Sequence, residues 1–267
     1  MSKKIAVLGC GWLGLPLAIR LVDLGYTVHG STTSPEKLKV LLSKGIVPFH
    51  IRITEEGIDE THTFLKSAQT LIVNIPPGLR GKKTGNYVAK IRHLVTALKD
   101  TSIQNVLFIS STSVYGDSKE VITEKTNLRP QTESGKQLAE AENLLQCEPF
   151  KTTVLRFGGL IGPERHPVTH LSGKTDLPNP DSPVNLIHLD DCIGVIETIL
   201  TKNVWDTIIN AVYPNHPTRK EYYTVMAQKK ALPVPLFVPG NQATGKIIRP
   251  QYLLENLGYS FKRDIHL

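Results

Sequence analysis

Ile5-Ala6-Val7-Leu8-Gly9-Cys10-Gly11-Trp12-Leu13-Gly14 is the stretch that decides how this chain folds. A short apolar run leads straight into G-x-G-x-x-G. Leu13, Leu17 and Leu21 then recur at the four-residue spacing of a helix with one buried face. The order strand, glycine turn, helix gives each glycine a task. Gly9 permits the tight turn, Gly11 lets the backbone come close to a pyrophosphate, and Gly14 lets the helix lie against the strand. Backbone N–H groups at the helix start, and the positive end of its dipole, then face the phosphates. A second strand at 26–29 follows at the distance a βαβ unit requires.

Outward from this unit, short strands alternate with helical patterns, as in a parallel sheet with crossover helices. Ser34-Pro35-Glu36 reads as a helix start, serine capping and proline in the first turn, with the helix running over 37–43. Strands are expected at 47–51, 70–75, 105–110 and 152–156, and helices at 87–99 and 134–146. The run at 70–75 is nearly all apolar, as a strand covered on both faces should be. From 158 to 183 the chain is rich in Gly, Pro, His and Asn without a sustained period, which reads as a long functional loop. A strand at 184–189, a helix at 190–200 and a strand at 207–211 follow. Thr218-Arg219-Lys220-Glu221 spells a capping box for a helix to about 227, and 246–249 and 252–257 close the chain.

Composition narrows the function. With 267 residues, 40% hydrophobic and 21% charged, the chain suits one large α/β domain or a domain plus a small lobe. No apolar run approaches membrane-spanning length, and Met1-Ser2-Lys3-Lys4 enters the first strand at once, so a cytoplasmic protein without a signal peptide is expected. Cys10, Cys147 and Cys192 lie far apart, which argues against disulfides and against a zinc site; no metal is expected. The net charge of +7 includes scattered basic pairs without interleaved aromatics, so it fits a small anionic ligand at least as well as nucleic acid, which is not the expected partner.

In open α/β sheets, ligands sit beyond the carboxyl ends of the strands, where strand order reverses. The expected cofactor contacts are therefore Gly9, Gly11, Trp12, Leu13 and Gly14 in the loop. Ser31, Thr32 and Thr33 follow the second strand, Asn74, Ile75 and Pro76 the fourth, and Phe157 the sixth. An NAD-selective site usually carries Asp or Glu about 20 residues after the glycines, to bond the ribose 2′-hydroxyl. This chain has Ser31-Thr32-Thr33-Ser34 with Lys37 nearby, so NADP is favoured over NAD.

Phe108-Ile109-Ser110-Ser111-Thr112-Ser113-Val114-Tyr115-Gly116-Asp117 closely resembles the segment after strand five in extended short-chain dehydrogenases/reductases, the NAD-dependent sugar epimerase/dehydratase relatives. Pro130 through Lys136, with Ala139 and Glu140, resemble that family's P-x-x-x-Y-x-x-x-K-x-x-A-E helix. Leu155-Arg156 through Gly162-Pro163 and Leu186-Ile187-His188-Leu189-Asp190-Asp191 resemble two later motifs in the same order. The match spans about residues 4–200, and the tail after 210 follows only loosely.

The resemblance implies an α/β Rossmann fold, a doubly wound parallel sheet with a small C-terminal substrate lobe. Residues 1–157 would form the dinucleotide domain, with 184–211 returning to it, and 158–183 with 212–267 the lobe. By resemblance Ser111 takes the catalytic Ser/Thr place and Lys136 binds the nicotinamide ribose. The catalytic tyrosine falls on Thr132, whose aliphatic alcohol is far harder to ionise than a phenol. This departure sets the chain nearer the atypical, YeeZ-like group.

Tyr115-Gly116-Asp117-Ser118-Lys119 also spells Y-x-x-x-K, but Gly116-Asp117 reads as a turn rather than a helix. Arg80, Arg165 and His166 are candidate grips for an anionic substrate, and His166 or Tyr115 candidate proton relays. The expected activity is oxidoreduction or epimerisation of a small polar, sugar-like or anionic substrate. The alternative is a non-catalytic NAD(P)-binding redox sensor. A homodimer is left open.

Overall fold

Strand β1 (Lys4–Leu8) shows how the core is arranged. Successive side chains point to opposite faces, and in the computed structural model Ile5 and Val7 enter one hydrophobic cluster while Ala6 and Leu8 enter another. Residues 3–59, 61–79, 85–118, 120–239 and 245–266 are described. From β1 the chain runs through α1 (Gly14–Asp23), β2 (Thr27–Thr32), α2 (Lys37–Ser43), β3 (Val47–His50) and the single turn α3 (His62–Leu65). Then come β4 (Thr70–Val73), α4 (Tyr87–Leu98) and β5 (Asn105–Ser111). A 3-10 turn at Thr112–Tyr115 precedes β6 (Val121–Ile122), α5 (Glu133–Gln146) and β7 (Lys151–Phe157). The remainder comprises β8 (Gly159–Ile161), α6 (Val168–Leu171), β9 (Leu186–His188), α7 (Leu189–Thr201), β10 (Ile208–Ala211), α8 (Arg219–Lys229) and β11 (Ile247–Ile248), with a π turn at Tyr252–Asn256.

Seven strands form one parallel sheet in the order β10-β7-β5-β4-β1-β2-β3. Helices cover both faces. Leu17 and Leu21 of α1 and Val195, Ile196 and Ile199 of α7 pack on the Ile5/Val7 side. Ile91 and Leu94 of α4 and Leu138 and Leu145 of α5 pack on the Ala6/Leu8 side. This is the expected doubly wound Rossmann sheet. Strand order reverses between β1 and β4, which places the turns after those two strands side by side.

Several local expectations change. The segment 158–183, read as an irregular loop, carries β8 and α6. Strand β8 pairs in parallel with β9, in a small sheet apart from the seven strands. Three-residue strands leave no period to detect, and Gly159 is small because a Cβ there would lie 2.7 Å from the Leu186 side chain. A third hydrophobic cluster joins Ile161, Val168 and Leu186 to Tyr222 and Met226 of α8 and to Ile265. Ser34 serves the start of α2 through its carbonyl, which accepts the Lys37 N–H at 3.0 Å, and not through its hydroxyl. The capping box at α8 forms as read: Thr218 Oγ1 accepts the Glu221 N–H and the Glu221 carboxylate accepts the Thr218 N–H.

Candidate functional site

The glycine loop lies at the point of strand-order reversal. Gly9 takes φ +102°, which L side chains rarely adopt, and a Cβ on it would come 2.6 Å from Asn74 O. A Cβ on Gly14 would lie 2.1 Å from Gly9 O, so the helix approaches the strand only without one. Gly11 differs: it is exposed, and a Cβ on it would meet nothing within 4 Å. The loop thus closes tightly on its protein side and opens on the other, toward the crevice.

Neighbouring strands hold this shape. The Gly9 N–H donates to Ser31 Oγ at 2.9 Å, the Cys10 N–H to Ser31 O at 2.7 Å, and Asn74 Nδ2 to Gly9 O at 2.9 Å. Ser31 and Asn74 therefore shape the loop, and Ser31 is buried behind it. Thr32 is buried and its hydroxyl accepts the Ser34 N–H at 3.1 Å, leaving Thr33 as the exposed residue of that turn, its carbonyl bound by His50 Nε2–H at 3.2 Å. Leu13 and Phe157 are core residues, so their side chains face the protein. Ile75 is half-buried, with its carbonyl accepting the Tyr87 hydroxyl at 2.9 Å, and Pro76 is exposed beside it. Burial pushes the Cys10 thiol up to about 12, which removes thiolate chemistry from the loop. Arg80 lies outside the described residues.

The carboxyl end of β5 brings Ser111 to the same edge. Its Oγ accepts the Ser113 N–H at 3.2 Å and caps the 3-10 turn. Thr132 is the N-cap of α5: its Oγ1 accepts the Gly135 N–H at 3.1 Å. The hydroxyl at the tyrosine position is thus engaged in holding a helix end. Lys136 lies one turn on and is exposed.

Neither suggested proton relay is disposed for that work. Tyr115 is buried; its hydroxyl accepts from Arg156 Nη1 at 2.8 Å and donates to Asn210 Oδ1 at 2.8 Å, and burial raises its pKa. His166 is also buried. Its Nδ1 accepts the Val168 N–H at 3.1 Å and its Nε2 contacts Tyr222 Oη at 2.9 Å. Desolvation lowers its pKa to about 4, so the ring is neutral and the proton resides on Nε2. Tyr222 in turn donates to Ile265 O at 3.0 Å. His166 is thus a structural member of the third cluster and no substrate grip. Arg165 sits elsewhere, its guanidinium carbon 4.9 Å from the Trp12 ring centroid.

A buried polar network escaped the sequence reading. Glu142 of α5 accepts from Arg156 of β7 twice, at 2.6 and 3.1 Å, and from Ser110 Oγ at 2.5 Å. Through Tyr115 the network reaches Asn210 of β10, whose N–H, like that of Tyr252, donates to Glu124. Two signals were available: Arg156 sits between the apolar Leu155 and Phe157, and Glu142 lies on the stripe of Leu138 and Leu145. The tail supplied a second surprise, because Lys246 Nζ donates to the carbonyls of Thr112 and Gly116 and so clamps the turn after Ser111.

A parallel sheet in this order, with an open glycine cradle at its switch point, defines a Rossmann-type protein. Residues 5–176 match the NAD dependent epimerase/dehydratase family, and the chain belongs to it. It is similar to Protein YeeZ of Escherichia coli (strain K12), 34% identical over 264 residues that span 97% of this chain and 96% of that one. The uncharacterized UDP-glucose epimerase YtcB of Bacillus subtilis (strain 168) is 27% identical over 228 residues, 75% of this chain and 66% of that one. The solved UDP-glucuronic acid 4-epimerase from Bacillus cereus, in complex with NAD, shares the fold with a TM-score of 0.82 at 18% identity, covering 99% and 95% of the two chains. Among the described residues no helix is long and apolar enough to cross a membrane.

Proposed function

We propose that this chain binds a nicotinamide dinucleotide at the glycine loop and uses it as an oxidoreductase or epimerase on a small polar substrate, of the nucleotide-sugar kind that the solved relatives' names describe. One observation carries the reading: Gly11 faces open space while Gly9 and Gly14 are closed in by Asn74 O and Gly9 O. A cradle so shaped fits a pyrophosphate approached by backbone N–H groups. When bound, the dinucleotide supplies hydride exchange at its nicotinamide ring. Ser111 holds a substrate oxygen from the end of β5, and Lys136 holds ribose hydroxyls from α5. The substrate sits between this edge and the lobe formed by 158–183 and 212–267, in which Val168, Tyr222, Met226 and Ile265 share the third cluster.

NADP is the preferred form. The turn after β2 offers the exposed Thr33, with Ser34 and Lys37 behind it, and the strand ends in hydroxyl residues with its first acid, Glu36, only at the start of α2. Thermal melting with each of NAD, NADH, NADP and NADPH tests the reading, since a ligand that binds the folded state raises the melting temperature by mass action. A larger shift with the 2′-phosphorylated pair is expected. Four flat titrations would defeat the proposal.

A second reading, a redox sensor that binds the dinucleotide without turnover, is favoured by Thr132, whose hydroxyl caps α5. Ser111→Ala and Lys136→Ala separate the two. If neither changes turnover of any sugar nucleotide while Gly11→Val abolishes binding, the sensor reading holds.

A further inference from the structure

Trp12 carries the contact between the glycine loop and the segment after β8. Its Nε1–H donates to Pro163 O at 3.0 Å, and the Arg165 guanidinium lies over its ring at 4.9 Å from the centroid. The turn that presents both groups is well defined. Gly162 and Arg165 exchange backbone hydrogen bonds of 2.9 and 3.1 Å, and Glu164 takes a left-handed φ of 56°. A Cβ on Gly162 would come 3.1 Å from the Trp12 ring, so that residue's smallness lets the turn close on the indole.

The loop Gly9-Cys10-Gly11-Trp12-Leu13-Gly14 contains no cationic side chain. Loop amides and a helix dipole supply only partial positive charge to a ligand group carrying two negative ones. Stacking engages a guanidinium's face, whereas phosphate oxygens are bound by its in-plane N–H edge, so one arginine serves both contacts.

We propose that Arg165, held over the Trp12 ring, is the cationic side-chain contact of the dinucleotide's pyrophosphate. This assigns Arg165 to the cofactor and not to the substrate, and it rests on the dinucleotide reading above. It also makes the segment after β8 part of the cofactor site, so 162–165 and the glycine loop close on the same phosphates.

The test uses Trp205→Phe protein, in which Trp12 is the remaining indole of the two in the chain. Trp12 emission follows titration with NADP, NAD and ADP, and ligand-observed NMR follows adenosine, which lacks phosphates. Arg165→Gln is expected to weaken the dinucleotides and ADP about tenfold or more, the range for a charged hydrogen bond, and to leave adenosine unchanged. Arg165→Lys falls between, keeping the charge but losing the guanidinium and its fork of N–H donors. Equal ADP affinity in parent and Arg165→Gln overturns the inference. So does an equal loss for ADP and adenosine, which would mark a packing defect. A parent protein that binds no dinucleotide defeats the dinucleotide reading itself, an outcome distinct from a parent that binds and an Arg165→Gln variant that binds equally.

Discussion

Gly11→Ala is the sharpest perturbation, because its effects on the free and liganded protein have opposite signs. The added methyl meets no atom within 4 Å, and Gly11 is outside the left-handed region that the loop imposes on Gly9. A glycine replaced by alanine at a compatible position restricts the unfolded chain and stabilises the fold by about 0.4–1 kcal/mol. At about 2–4 °C per kcal/mol for a domain of this size, the free variant should melt about 1–4 °C above wild type. Wild type saturated at 100 times Kd gains about 2.7 kcal/mol from mass action, which at the same slope is about 5–11 °C. The variant's methyl stands where the pyrophosphate must approach the backbone, so this gain should shrink or vanish. Differential scanning fluorimetry with and without NADP reads both quantities. Gly14→Ala serves as the contrast: its Cβ would lie 2.1 Å from Gly9 O, and it should destabilise the free protein outright. A free Gly11→Ala variant that melts below wild type, or a ligand-induced shift equal to wild type's, refutes the reasoning.

Glu142→Ala leaves Arg156 buried without its carboxylate and should cost about 3–5 kcal/mol in urea unfolding, whereas Glu142→Met with Arg156→Met together should recover most of the loss. Thr132→Ala removes the α5 cap and should cost about 1 kcal/mol in the same assay while leaving NADP binding intact. An aromatic disulfide reagent at pH 8 should modify one thiol of the native protein, the exposed Cys147, and three after denaturation, because Cys10 and Cys192 are buried with raised thiol pKa values. His166 should make stability fall as pH drops from 6.5 toward 4: the unfolded chain takes up a proton that the folded ring refuses, and above pH 6.5 neither state holds it. His166→Gln should flatten that part of the unfolding curve.

The sheet was legible because burial on both faces leaves a strong mark in sequence. Runs such as Ala6-Val7-Leu8 and Leu71-Ile72-Val73 read as covered parallel strands, and the glycines gave the switch point. Of the small β8–β9 sheet, β9 was expected within 184–189, but β8 and its pairing were not, since residues 159–161 are too few for a period and their partners lie far along the chain. At the site, the tight turn expected at Gly9 and the close helix approach expected at Gly14 are both present in the backbone, and Gly11 faces open space. Side-chain duties were harder, because a hydroxyl or imidazole in sequence carries no sign of what it will bond. Ser31 holds Gly9, Thr132 caps a helix and His166 leans on Tyr222, each satisfied by protein where the pattern suggested ligand or catalysis. Arg165 was noticed for its charge, but the partner that orients it, Trp12, lies 153 positions earlier and only the fold brings them together.

The buried Glu142–Arg156–Tyr115–Asn210 network also bears on the order in which the molecule is made. A chain emerging from the ribosome acquires Tyr115, Glu142 and Arg156 well before Asn210, which follows Tyr115 by 95 residues. Until β10 arrives, the Tyr115 hydroxyl lacks its acceptor and the β7 edge of the sheet stands unpaired. The nascent N-terminal half therefore waits in an incomplete state, its edge strand open to wrong partners. Completion of the sheet and satisfaction of the network then come as one late event in synthesis.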